Sequence, residues 1–137
     1  MKGYLKYVLE NCEAALDELC RINKELNAGM SPDSNVDVNR LGALDRMIKD
    51  YLIIRVAGLF DKDTRTISFE NLFEGNAELD SIKNENIIKE IIEVRNRFVA
   101  HSDKNYIQQG NFSIETAKLC NSNLKEILKS LQKLLKN

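Results

Sequence analysis

LKYVLENCEAALDELCRINKEL, residues 5–26, decides the fold class. Leu5, Cys12, Leu19 and Leu26 recur every seven residues, Val8, Ala15 and Ile22 interleave, and Leu9 and Leu16 lie beside them. An odd repeat would scatter these side chains over both faces of a strand, but it gathers them on one face of a helix. The pattern predicts a helix from about Lys2 to Asn27, with Gly29 as its stop. MSPDSNVDVN, residues 30–39, then reads as a loop.

Working outward, a second helix is expected from about Val38 to Phe60, capped by Asp37 or Asn39. Leu41, Leu44, Ile48, Tyr51, Leu52, Val56 and Leu59 form its apolar side. DKDTRT (61–66) is turn-like, SFENLF (68–73) reads as a short helical turn capped by Ser68, and EGNAELDSIKNEN (74–86) is a polar connection with room for another turn. A third helix is expected over Asn86 to Ala100. A fourth is expected over Ser113 to Lys136, with Ser113 as cap and Ala117, Cys120, Leu124, Ile127, Leu131 and Leu134 as its stripe. No alternating run between turn residues signals a strand. The expectation is an all-α protein: one domain, residues 1–137, folded as an antiparallel four-helix bundle with a short extra helical turn. Leu5, Leu19, Leu52, Ile91, Phe98, Leu124 and Leu131 should be buried.

The composition agrees with a globular chain. Of 137 residues, 43% are hydrophobic and 30% charged, with one proline and six glycines to interrupt helices. No apolar run is long enough for a membrane span, and no apolar block follows Lys2 as in a secretory leader, so the expectation is a soluble cytoplasmic protein. The net charge of −1 hides an asymmetry: residues 61–93 carry nine acids and four bases, residues 113–137 five lysines and two glutamates. The basic C-terminal helix suits either a solvated face or nucleic acid. Three cysteines, Cys12, Cys20 and Cys120, are odd in number and contain no C-x-x-C pair, so they signal neither a disulfide framework nor a zinc site. They read as small buried hydrophobes.

Chemistry concentrates in RNRFVAH, residues 95–101. On a wheel counted from Ile87, Arg95 falls at about 80°, between the apolar positions of the third helix. A guanidinium there must be paired or open onto a cleft, because desolvating it alone costs several kcal/mol. His101, the only histidine, falls near about −40°, at the edge of the stripe. Arginine grips phosphate oxygens bidentately, and histidine titrates near neutral pH. The pair suits phosphodiester chemistry, although a salt bridge and a helix-end cap would account for both residues.

The run EVRNRFVAHSD at 93–103 resembles the signature of HEPN domains: arginine, a polar residue, a short spacer and histidine near the end of a helix. Five residues, Asn96 to Ala100, separate the two. The A-H-S-D ending and the upstream block AGLFDKDTRTISFENLF resemble the abortive-infection branch of that superfamily. The resemblance implies a metal-independent endoribonuclease of the toxin or antiviral-defence kind, working as a homodimer without a cofactor and with an antitoxin protein as a partner. It implies that Arg95 holds the scissile phosphate of RNA, that Asn96 orients the phosphate or the histidine, and that His101 moves protons. Two chains meeting at their third helices would supply the two histidines that acid and base catalysis needs. Arg97 shares the face of His101 and reads as a second phosphate ligand or a solvated charge. Some family members carry a modifiable tyrosine two residues after the histidine. Asp103 stands there in this chain, to orient His101 or to cap the turn.

Arg55 lies on the stripe of the second helix and is expected to be a buried salt-bridge partner or part of the cleft. The competing readings are a non-catalytic HEPN-like binding or dimerisation module, and an adaptor in which Arg95 pairs with Asp45, Asp61 or Glu93. No H-E-x-x-H or paired-cysteine spacing signals a metal.

Overall fold

The structure is a computed structural model that describes residues 1–29, 35–99 and 113–136, leaving aside the side chains of Phe98 and Val99. The expected burial of Phe98 and the positions of His101 and Asp103 lie outside the described residues. Helix α1 spans Lys2–Gly29 and turns Leu5, Val8, Leu9, Cys12, Leu16, Leu19 and Ile22 inward. At 28 residues it is roughly 42 Å long. The heptad stripe fades at its end, where Leu26 is only half-buried.

Helix α2 spans Val38–Gly58 and starts at Asp37, whose carboxylate accepts the Arg40 amide at 3.1 Å. Its buried face is rotated from the expected one. Counted from Leu41, the buried Leu52, Val56, Ile53 and Ala57 run from about 20° to about 160°. Arg55 at about −40° therefore falls on the rim, and Tyr51 at about −80° falls outside it. Tyr51, expected on the apolar side, is 39% exposed.

After Phe60 the chain doubles back, and the Phe69 amide donates to the Leu59 carbonyl at 2.8 Å. Ser68 caps α3, Phe69–Leu72, as expected: its hydroxyl accepts the Asn71 amide and donates to the Asp61 carbonyl. The Asn71 amide group donates to the Asp63 and Thr66 carbonyls, which fixes the path of the loop. The polar connection contains a further helix, α4, Ala77–Lys83, capped by Asn76, with Leu79 and Ile82 buried. The next helix, α5, ends early, at Asn86–Val94, and passes into a π-helical segment at Arg95–Val99.

The expected fourth helix is two: α6, Thr116–Cys120, and α7, Leu124–Leu135. Asn121, Ser122 and Asn123 separate them. The Ser122 hydroxyl donates to the Leu119 carbonyl and accepts the Leu124 amide, local bonds that compete with a continuous helix. Ser113 is not the cap; Glu115 precedes the first turn and makes no side-chain cap bond.

The described residues are helical and contain no strand. Helix α1 packs on α2, α6 and α7, and α2 packs on α5 and the π segment. Leu5, Leu19, Leu52, Ile91, Leu124 and Leu131 are all fully buried in the core. Among the described residues no helix is long and apolar enough to cross a membrane. One expectation is corrected outright. Cys20 and Cys120 are not a pair of buried thiols but a disulfide, 100 residues apart in sequence, with Cα atoms 5.6 Å apart. Only the packing of α1 against α6 brings them within bonding reach. Cys12 remains a free, buried thiol.

Candidate anion-binding site

The start of the motif and the rim of α2 share one cavity of about 190 Å³. Its walls come from four places. The first turns of α1 contribute Tyr4 and Val8, the last turn of α2 contributes Arg55, the capped loop contributes Thr66 and Ile67, and the π segment contributes Arg95. Among the described residues that line it, none is acidic.

Arg55 is half-buried, with its Nη1 donating to the Tyr4 hydroxyl at 3.5 Å and its Cζ 5.8 Å from the centre of the Tyr51 ring. Its Nε is buried and has no hydrogen-bond partner. Burial lowers the pKa of this guanidinium, and the hydroxyls of Tyr51 and Tyr4 outweigh that effect, so the net shift is upward. The charge is permanent. Cys12 offers it no counter-charge, because burial pushes this thiol up to about 12 against the pull of Arg55, with Glu13 adding to the rise. Among the described residues Arg55 makes no salt bridge with a carboxylate, so the expected buried ion pair is not found there, and the side chain lines the cavity instead.

Arg95 is half-buried, and its Nε donates to Asn96 Oδ1 at 2.6 Å. Asn96 therefore steadies Arg95. The three acids that could have locked Arg95 are occupied elsewhere. Asp45 accepts the Thr116 hydroxyl at 2.8 Å and lies 3.7 Å from Lys49. Asp61 accepts the Asp63 amide at 3.0 Å. Glu93 lies 4.0 Å from Arg97 Nε, with both side chains more than half exposed.

The π-helical segment changes the geometry of the motif. A π-helix closes its hydrogen bonds over five residues, and short insertions of this kind are frequent at functional sites. The 100° wheel that set Arg95 among apolar neighbours ends at Val94, so its extrapolation to His101 no longer applies. The structure thus brings Arg95, Asn96 and Arg55 to one region, with Arg97 beside them in the same segment. Tyr4 was missed by sequence reading. It precedes the α1 stripe by one residue, and only the approach of α2 makes it a wall.

The chain matches no known family model, no curated protein and no solved structure.

Proposed function

We propose that this chain is a metal-independent endoribonuclease of the HEPN type, a toxin or antiviral-defence effector that cleaves RNA at a site shared by two copies. One observation carries the reading: among the described residues Arg95 opens into a cavity with no acidic wall instead of being locked to a carboxylate. A cation held half-buried without an acid is costly to the fold and useful to an anion. In the proposed reaction the 2′-hydroxyl of the ribose loses its proton to one histidine and attacks phosphorus. The 5′-oxygen leaves and takes a proton from the other. His101 and His101 of the partner subunit fill these two roles, and the products are a 2′,3′-cyclic phosphate and a 5′-hydroxyl. Arg95 balances charge on the phosphate as it becomes five-coordinate. Asn96 holds the guanidinium in place, and Arg97 serves as an outer phosphate ligand.

The four-helix arrangement belongs to the same proposal. It is supported by the packing of α1 on α2, of α2 on α5 and of α1 on the α6–α7 pair. The homodimer is supported by an exposed apolar face beside the cavity: Met47, Tyr51 and Ile54 follow one another at helical spacing on α2, next to the exposed Tyr4 and Ile67. That face equally suits the second reading, a dimerisation module without catalysis. In the ribonuclease reading an antitoxin protein would occupy the cleft when the enzyme is silent. The proposed location is cytoplasmic, where RNA is at hand. Disulfides rarely persist in a reducing cytosol, so the Cys20–Cys120 bridge counts against that location.

The test is purified protein with total RNA in EDTA, read by end-group analysis. Cleavage leaving cyclic phosphate ends, lost in His101→Ala, is the expected result. No cleavage by the wild type, or full cleavage by His101→Ala, would overturn the reading and leave the binding module.

A further inference from the structure

The motif supplies one arginine to the cavity, and the fold supplies another from a helix the motif does not include. Arg55 reaches the cavity from α2 with one nitrogen on the Tyr4 hydroxyl and one buried nitrogen unpartnered. Buried donors are almost always satisfied, so a guanidinium with an unpartnered nitrogen beside a cavity is short of acceptors, and its remaining nitrogens are the ones a ligand can meet. Among the described residues the wall contains no carboxylate, and the nearest thiol is held neutral by its burial. An anion carried by a ligand would supply the acceptor. The volume of about 190 Å³ is below the range of drug-sized pockets, and it suits a single tetrahedral group. A planar fork matches two phosphate oxygens.

We infer that Arg55 and Tyr4 form the second arm of a phosphate clamp, bracketing with Arg95 one internal phosphodiester of single-stranded RNA. This rests on the ribonuclease reading for the identity of the ligand, and it assigns to α1 and α2 a direct part in holding it. Arg55 donates to the non-bridging oxygens from the side opposite Arg95. The Tyr4 hydroxyl, which accepts from Arg55, donates its own proton to the phosphate and fixes the guanidinium plane. Tyr51 lies under the same guanidinium and restricts its swing.

The experiment is fluorescence anisotropy in EDTA with a labelled 2′-O-methyl hexaribonucleotide, which cannot be cleaved, over a series of salt concentrations. Arg55→Gln is expected to weaken binding by about tenfold or more, as loss of a charged hydrogen bond does. The slope of log affinity against log salt should become shallower by about 0.7, one phosphate contact on a single strand. Arg55→Lys should recover the slope but only part of the affinity, because a point charge replaces a fork. Tyr4→Phe should weaken binding and leave the slope unchanged. The melting temperature of Arg55→Gln should stay close to that of the wild type, since the long bond to Tyr4 and the Tyr51 contact that it loses are offset by removal of a half-buried charge with an unpartnered nitrogen. Wild-type affinity and slope in Arg55→Gln would overturn the clamp, as would a fall in melting temperature that accounts for the lost binding. A 5′-phosphorylated mononucleotide competing as well as the oligonucleotide would also overturn it, in favour of a terminal-phosphate pocket. RNA cleavage is scored separately. Arg55-dependent binding by a protein that cleaves nothing ends the nuclease reading and keeps the clamp; cleavage untouched by Arg55→Gln keeps the nuclease and ends the clamp.

Discussion

Arg21 and Arg55 make opposite uses of the same side chain. Arg21 lies on the outer face of α1 between Glu18 and Glu25, and it bonds to both, its Nε donating to Glu18 at 3.0 Å. Hydrogen bonding to Arg21 holds the Glu18 carboxyl below its usual range. Every partner is on the same helix, three or four residues away, where helical geometry puts neighbours. Arg55 has no such partner among the described residues; it meets two tyrosines and a cavity. The middle and the start of α1 differ in the same way. Around Asp17 the helix is charge-paired through Lys125 and joined to α6 by the Cys20–Cys120 bridge. Its start, at Tyr4, lines a cavity whose arginines meet no carboxylate among the described residues. Charge that is already paired contributes to solubility and local helix stability. Charge held half-buried without a pair is available to a ligand.

The largest expected effect would break this contrast if it failed. His101→Ala should lower RNA cleavage by roughly 10²–10⁴-fold through the lost proton transfer. Arg95→Ala should cost a similar factor through lost charge stabilisation, with its thermal melt unchanged. If Arg95→Ala instead melted early with wild-type RNA left intact, the cavity end would be as structural as the charge-paired middle.

Cutting the staple should move stability alone. Replacing Cys20 and Cys120 by alanine releases a 100-residue loop in the unfolded chain, worth about 4.7 kcal/mol by loop entropy. Urea unfolding should register a loss of that order, while the folded fraction keeps its cleavage rate. Equal stability of bridged and alanine forms would remove the staple from the comparison.

Cys12 lies between the start and the middle of α1, and it sharpens the contrast by pH. Its thiol is raised by burial from an ordinary 9.0 to about 12, so the native state keeps a proton that the unfolded chain gives up. The stability from this group is complete below the unfolded pKa and is lost as pH rises through the folded one. Over that window the wild type should lose about 1.4 kcal/mol per pH unit more than Cys12→Ala in urea titrations. Parallel curves for the two proteins would mean that the thiol is hydrated. The smallest effect is that of Arg21→Ala, an exposed residue whose ion pairs water can replace; its melt should match the wild type.

How much of this was legible follows from the range of each interaction. The π segment was not, because a helical wheel assumes one residue spacing throughout, and RNRFV has nothing in its composition to declare another. The break at Asn121–Asn123 was, in hindsight, signalled by N-S-N, residue types whose side chains compete for local backbone, as Ser122 does here. Ser68 was recognised as a cap, and Asp37 as one of two candidates, because capping is local to three residues.

By itself, the sequence determined the helical class, the core positions Leu5, Leu19, Leu52, Ile91, Leu124 and Leu131, and the short motif that holds Arg95, Asn96, Arg97 and His101. These follow from periodicity and from neighbours within a helical turn. Only the tertiary structure decided the rest. It rotated the buried face of α2 so that Arg55 reached a rim, brought Tyr4 of α1 against it, and joined Cys20 to Cys120 across 100 residues. The physical reason is that a helix face is set by its own sequence, but its rotation against a neighbour is set by both. Contacts between residues fifty or a hundred positions apart exist only after every stripe in the core has found its partner.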